Sequence, residues 1–212
     1  MIQRFVCNML QENCYVMYDD TKECVIIDCG AYFPEERQAI VTFIRDHALT
    51  PKYLLATHGH VDHLFGIDTI YKEFGLKPCV AAADKHLVES IAKQGAEMFG
   101  MQIEGDYPPV DHVFEKNEVI RFGNTQLQII ESPGHSRGSV CFYCQKEHVL
   151  FSGDTLFRGS IGRTDLDGGS MMQIIQSLRQ IAQLPDETVV YSGHGPQTTI
   201  GNELAHNPYM DR

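Results

Sequence analysis

Four residues able to bind divalent metals stand within six positions: His58, His60, Asp62 and His63, in the run THGHVDH. Imidazole nitrogen and carboxylate oxygen are borderline-to-hard donors, suited to Zn, Fe or Mn. The H-x-H spacing lets two rings on an extended turn point the same way. Asp62 continues that alternation, while His63 points elsewhere. Such a loop can feed two adjacent ions, and Gly59 leaves the backbone free to turn tightly between the ligands. A lone loop histidine is usually just solvated. Three with an aspartate, in a chain without poly-His runs, are not explained that way.

Three more donors fall in a matching setting. His135 lies in SPGHS between two predicted strands; Asp154 in FSGDT and His194 in YSGHG each follow a strand directly. Singly, each reads as a turn residue or cap, and Asp154 could bond its own backbone. Together with the first four they complete a set at strand ends, where α/β proteins commonly place their sites. The other histidines lack that context. His47 and His86 fall within predicted helices, His112 and His206 in polar loops, and His148 opens a strand. All five are expected to be surface or structural residues.

The elements that must position these donors alternate. RFVC, NCYVMY and CVIID read as strands; 35–48 has helical spacing with Pro34 near its first turn; KYLLAT is a buried-type strand running into the histidine loop. Helices are predicted over 66–74 and 84–99, with the strand KPCVAA between them and a Gly/Pro loop after them. Then come strands EVIRF, TQLQIIES, SVCFYC and HVLFSG, an irregular Gly-rich stretch, an amphipathic helix over 170–182, a last strand TVVYSG, and a short polar tail. Met171, Ile174, Ile175, Leu178 and Ile181 share one face of that helix. Two mixed halves suggest a four-layer αβ/βα sandwich in a single domain over 1–212; periodicity alone does not choose it over a doubly wound sheet.

Composition narrows the classes. The chain has 212 residues, 43% of them hydrophobic and 21% charged, which is ordinary for a globular chain. A chain of this size buries roughly 70% of the surface its unfolded form exposes, so no metal is needed merely to hold a core. Lys and Arg total 17 against 28 acidic residues, a net charge of −11, so nucleic acid is not an expected partner. No apolar run is long enough to span a bilayer and no signal peptide is evident, so a cytoplasmic location is expected. The seven cysteines are expected to be free, buried thiols. Cys141 and Cys144 form a C-x-x-C but sit on a strand, where residues three apart face opposite sides. No G-x-S-x-G elbow is present.

THGHVDH, SPGH, GDTLF and GHGPQTT, in that order, resemble the metallo-β-lactamase superfamily, and within it the short, single-domain glyoxalase II (hydroxyacylglutathione hydrolase)-like proteins. The resemblance spans essentially the whole chain. It implies an α/β fold, the four-layer sandwich of two mixed sheets flanked by helices. It implies two divalent ions, Zn first with Fe and Mn as alternatives. His58, His60 and His135 would hold one ion, Asp62, His63 and His194 the other, and Asp154 would bridge them. Asp28 in VIIDCG matches a position that steadies a ligand histidine from behind, though it could equally be a turn residue.

The implied reaction is attack of a metal-bridging hydroxide on a thioester carbonyl, S-2-hydroxyacylglutathione in the first place, with Asp62 also placed to handle protons. Arg163 lies where longer glyoxalase II enzymes carry a basic residue touching glutathione. It would bind a substrate carboxylate, or else pair with Asp165 or Asp167. No counterpart of the C-terminal helical domain of those enzymes is expected, and Asp165 and Pro196 stand where they carry tyrosines, so another thiol carrier is open.

Rival readings are a persulfide dioxygenase with one Fe on His58, His135 and Asp154, a lactone or β-lactam hydrolase, and a binding module with a structural metal. β-Lactamases normally carry a signal peptide and many lack the bridging Asp. Structural zinc sites are closed and often use Cys. The expected partner is a small thioester, with no nucleic acid and no membrane; the oligomeric state is unknown.

Overall fold

A computed structural model describes residues 1–211. The first sheet has six strands in sequence order: β1 (Ile2–Cys7), β2 (Glu12–Tyr18), β3 (Glu23–Ile27), β4 (Thr50–Leu55), β5 (Pro78–Val80) and β6 (His112–Val113). β1 to β3 are antiparallel, and β3 to β6 run parallel. The second sheet also has six strands. They are β7 (Val119–Phe122), β8 (Thr125–Glu131), β9 (Val140–Cys144), β10 (Val149–Gly153), β13 (Val189–Ser192) and β14 (Thr198–Thr199), in the order β14-β13-β10-β9-β8-β7. A small hairpin, β11 (Leu156–Phe157) and β12 (Ser160–Ile161), stands apart.

Strand alternation builds three apolar layers. Val25 and Ile27 face the second sheet, where they meet Phe142, Cys144 and Phe151. Their neighbours Cys24 and Ile26 face outward, against Ile40 and Ile44 of α1 (Pro34–Asp46), Ile67 and Ile70 of α2 (Ile67–Phe74) and Ile91. On the other side, Cys141, Tyr143 and Leu150 pack on Leu178 and Ile181 of α5 (Met171–Ile181) and Ile200 of α6 (Ile200–His206). The result is a four-layer αβ/βα sandwich, as expected. Cys141 and Cys144 indeed face different layers, and all seven cysteines are free and buried. Among the described residues no helix is long and apolar enough to cross a membrane.

Several local expectations differ. The single helix over 84–99 is a 3-10 turn (Ala82–Asp84) followed by α3 (Lys85–Val88) and α4 (Ile91–Phe99). Ser90 breaks it, since both its backbone N–H and its hydroxyl donate to the Leu87 carbonyl, a local competitor of the helical ladder. The polar tail contains α6, capped by Thr199, whose hydroxyl accepts from the Asn202 N–H. Its polar residues are satisfied inward. Glu203 is buried and accepts from Thr198, Asn202, Asn207 and the Gly159 N–H. His206 therefore ends a helix and His112 lies on β6 rather than in loops, and His148 occupies the turn before β10. Met171, expected on the apolar face of α5, is half exposed.

Candidate metal centre

The histidine loop leaves the end of β4, and the other three donors leave the ends of β8, β10 and β13, so all seven converge at one edge of the sandwich. His58, His60 and His135 each offer a ring nitrogen to one cluster whose members lie within 4.8 Å of one another. Asp62, His63 and His194 make a second such cluster within the same limit, and Asp154 groups with His58 and His63 between the two. His63 Nε2 is 3.4 Å from Asp154 Oδ1 and 3.7 Å from Asp62 Oδ2; His194 Nε2 is 3.3 Å from Asp62 Oδ2 and 3.7 Å from Asp154 Oδ2. His60 Nδ1 and His135 Nε2 face each other at 2.8 Å.

Four of the five rings are held from behind through Nδ1. His58 Nδ1 meets Thr57 Oγ1 at 3.0 Å, His63 Nδ1 meets Asp28 Oδ2 at 3.1 Å, His135 Nδ1 meets the Arg163 carbonyl at 2.8 Å, and His194 Nδ1 meets the Leu10 carbonyl at 3.0 Å. An oxygen on one ring nitrogen leaves the other free to ligate, the arrangement metal-binding histidines use. Asp28 also accepts from the Thr57 N–H and hydroxyl, both at 2.7 Å. It holds φ at 49°, in the left-handed region that an aspartate tolerates when its side chain is bonded nearby. Asp28 thus both turns the chain and steadies His63.

Residues that carried no sequence signal complete the cradle. Asp84 is buried and accepts from the Gly59 N–H (2.9 Å), the Gly138 N–H (2.7 Å) and the Ser136 hydroxyl (2.6 Å), tying the His58–His60 loop to the His135 loop. Gln94 donates to the Gly59 carbonyl at 3.0 Å. Asn13 donates to the carbonyls of Ser192 and Gly195, fixing the turn that carries His194. Glu12 is fully buried 3.8 Å from His63 Nδ1. Nothing in their spacing marks them, because each acts on a segment distant in sequence. Gly193 is required here, since a Cβ would strike Asp154 Oδ1 and His63.

Arg163, with both roles open in the sequence, donates from its guanidinium to both oxygens of exposed Asp165, at 2.7 and 2.8 Å. Asp167 pairs with Arg137 instead, at 3.7 Å.

The electrostatics suit cations. Burial, with His63 close by, holds His58 neutral, its pKa well below the usual imidazole range. Burial and His135 push His60 down to about 4. Burial would raise Asp62 and Asp154, yet His63 in each case pulls the carboxyl below its usual range. Burial opposes a proton on His63, but Asp154 and Asp62 outweigh it and raise its pKa well above normal; at His194 burial likewise opposes the proton, and the Asp62 hydrogen bond together with Asp154 raises the pKa above its usual value. His58 Nε2, His63 Nε2 and Asp154 Oδ1 are buried without a hydrogen-bond partner. Orphaned polar atoms converging on one space, all of ligand chemistry, fit divalent ions there.

With both pKa values raised above 6.5, His63 and His194 are protonated at pH 6 in the metal-free protein. Ligation through Nε2 must expel both protons. Metal titration at pH 6, repeated in buffers of different ionisation enthalpy, is expected to show release of about two protons per loaded centre. Affinity should therefore fall as pH drops. A heat of binding independent of buffer would contradict this proton inventory.

The metallo-beta-lactamase superfamily model matches residues 7–194, from the end of β1 to the last of the seven donors. The chain belongs to the metallo-beta-lactamase superfamily. It is similar to hydroxyacylglutathione hydrolase GloC of Haemophilus influenzae, 34% identical over 95% of this chain and 93% of that protein. Its fold superposes on the crystal structure of the B3 metallo-beta-lactamase BLEG-1 with a TM-score of 0.90 at 38% identity, covering 99% of each chain. It also superposes on TTHA1623 in a di-iron-bound form, with a TM-score of 0.85 at 34% identity over 98% of this chain and 100% of that one. The chain is thus a metallo-hydrolase by family, and the two clusters above are its candidate metal-binding groups.

Proposed function

We propose that the protein hydrolyses thioesters at a centre of two divalent ions, with S-2-hydroxyacylglutathione the first substrate to test. The observation that carries this is Asp154. Its carboxylate stands between two donor clusters, and one of its oxygens is buried and unpartnered. The likeness to GloC supports the substrate class. His58, His60 and His135 would hold one ion, Asp62, His63 and His194 the other, and Asp154 both. Zn suits this donor set, and Fe suits it equally in chemistry, as TTHA1623 carries iron.

When bound, the two ions lower the pKa of a water to about 7 and polarise an acyl carbonyl. The chain's own groups supply the rest. Asp28, Thr57 and the carbonyls of Arg163 and Leu10 keep four imidazoles aimed inward. Asp62, kept ionised and with Oδ2 3.3 Å from His194 Nε2, would accept a hydrogen bond from the attacking water. The C–S bond breaks as a C–O bond forms, and the thiol departs as a thiolate; with a thiol pKa near 8.5, departure makes little demand for an acid. No cysteine competes as nucleophile: burial pushes Cys24 and Cys79 up to about 12.

The likeness to BLEG-1, a B3 metallo-beta-lactamase, raises β-lactams as a second substrate class. The test is one screen on one preparation. Hydrolysis of S-lactoylglutathione, a neutral acyl thioester, a lactone and a β-lactam is measured beside metal content. The expected result is thioester turnover with about two ions per chain, abolished by chelation and restored by two equivalents of metal. Turnover of the β-lactam or lactone alone, by the fully loaded protein, would overturn the thioester assignment.

A further inference from the structure

A groove of about 250 Å³ opens beside the metal centre, between β1 and the turn that follows His194. Its walls are Arg4, Val6, Gln11, Asn13, Gly195 and Pro196. Arg4 and Val6 lie opposite Tyr15 and Asn13 in the β1–β2 register. Tyr15 faces the second sheet, so Arg4 shares that face; because β1 is the edge strand, Arg4 projects past the sandwich core into the groove. Its Nη1 lies 3.5 Å from the Gly195 carbonyl.

Arg37, Arg45, Arg137, Arg163 and Arg179 all pair with carboxylates. Among the described residues Arg4 has no acidic partner, in a chain of net charge −11. Arg121 and Arg158 also lack one, but Arg121 donates to the Val119 carbonyl on β7, at the opposite edge of its sheet from β14, and Arg158 lines a separate cavity with Val189, Gln197 and Thr199. Arg163 would reach a substrate carboxylate only by giving up Asp165. Among the described arginines Arg4 alone offers a guanidinium without a carboxylate partner in a groove that touches the residue after His194. The groove also carries aliphatic surface from Val6 and Pro196.

We infer that this groove seats the thiol-carrier half of the substrate, with Arg4 as the anchor for a carboxylate at the carrier's far end. The inference rests on the thioester reading and names the class of carrier: a short thiol with an aliphatic stretch and a terminal carboxylate. A guanidinium meets a carboxylate through two parallel hydrogen bonds, which an ammonium cannot reproduce.

The test uses S-methylglutathione, which cannot be hydrolysed, as a calorimetric probe of the metal-loaded protein, with Arg4→Ala, Arg4→Lys and Arg4→Glu compared to wild type. Expected are a loss of about tenfold in affinity for Arg4→Ala, a smaller loss for Arg4→Lys and a larger one for Arg4→Glu, with metal content and melting temperature unchanged. In turnover, the ratio of kcat/KM for S-lactoylglutathione to that for the neutral thioester should fall by a similar factor in Arg4→Ala. Binding by Arg4→Ala within twofold of wild type, or no binding by wild type, overturns the inference. Arg4-dependent binding without thioester hydrolysis would sink the thioester reading and leave the anchor standing. Hydrolysis with an unaltered substrate ratio would do the reverse.

Discussion

Asp154→Ala is expected to lower turnover by about a thousandfold or more and to leave the protein holding one ion per chain instead of two. Asp154 reaches both donor clusters, with oxygens 3.4 Å from His63 Nε2 and 3.6 Å from His135 Nε2. Removing it takes away a carboxylate placed between the two clusters and a charge that raises the pKa of His63. Stabilisation of a reacting carbonyl by bound ions is worth several kcal/mol, and each 1.36 kcal/mol is tenfold in rate, so about a thousandfold follows from losing one ion. Asp154→Asn preserves shape while removing the charge, and should fall between the variant and wild type in metal content. Metal analysis and steady-state kinetics on the same samples decide it. An alanine variant that retained two ions and a tenth of wild-type turnover would refute the shared role.

Asp84→Ala is expected to act through the scaffold. Asp84 touches no donor, yet two buried backbone N–H groups, those of Gly59 and Gly138, have its carboxylate as acceptor. Leaving both unpaired costs about 2–6 kcal/mol, a large share of the roughly 5–15 kcal/mol by which domains are stable. For a chain of this size the melting temperature should drop on the order of 10 °C. The damage should be directional. Gly59 lies between His58 and His60, and Ser136 follows His135, so the first cluster should lose affinity while the Asp62–His63–His194 cluster keeps most of its own. Asp84→Asn, which retains one acceptor oxygen, should recover part of both losses. Calorimetric melting with stepwise metal titration reads this directly; a wild-type melting point with two unaltered metal affinities would show that Asp84 does not couple the loops.

Much of the site was legible because its signals are local. The H-x-H-x-D-H run needs only six consecutive positions, and the strands before His135, Asp154 and His194 announce themselves by apolar alternation. Elements with one buried face, such as α1 and α5, were placed to within a residue or two. The misses share a cause. α6 was hidden because Glu203, Asn202 and Asn207 satisfy one another inside a buried network, so a polar composition did not mean an exposed tail. The helix break at Ser90 depends on one hydroxyl choosing the Leu87 carbonyl, which periodicity does not register.

From the chain alone came the donor types, their positions at strand ends, the alternation that sets three apolar layers, and the acidic balance that argues against nucleic acid. Which donors stand within reach of one another was decided only by folding. His60 meets His135 across 75 residues, Asp28 meets Thr57 across 29, and Asp84 meets Gly138 across 54. The physical reason is range: burial and periodicity are written into neighbouring residues. A metal centre, by contrast, is a property of distances between segments, and those exist only once two sheets have packed and brought their strand ends to one edge.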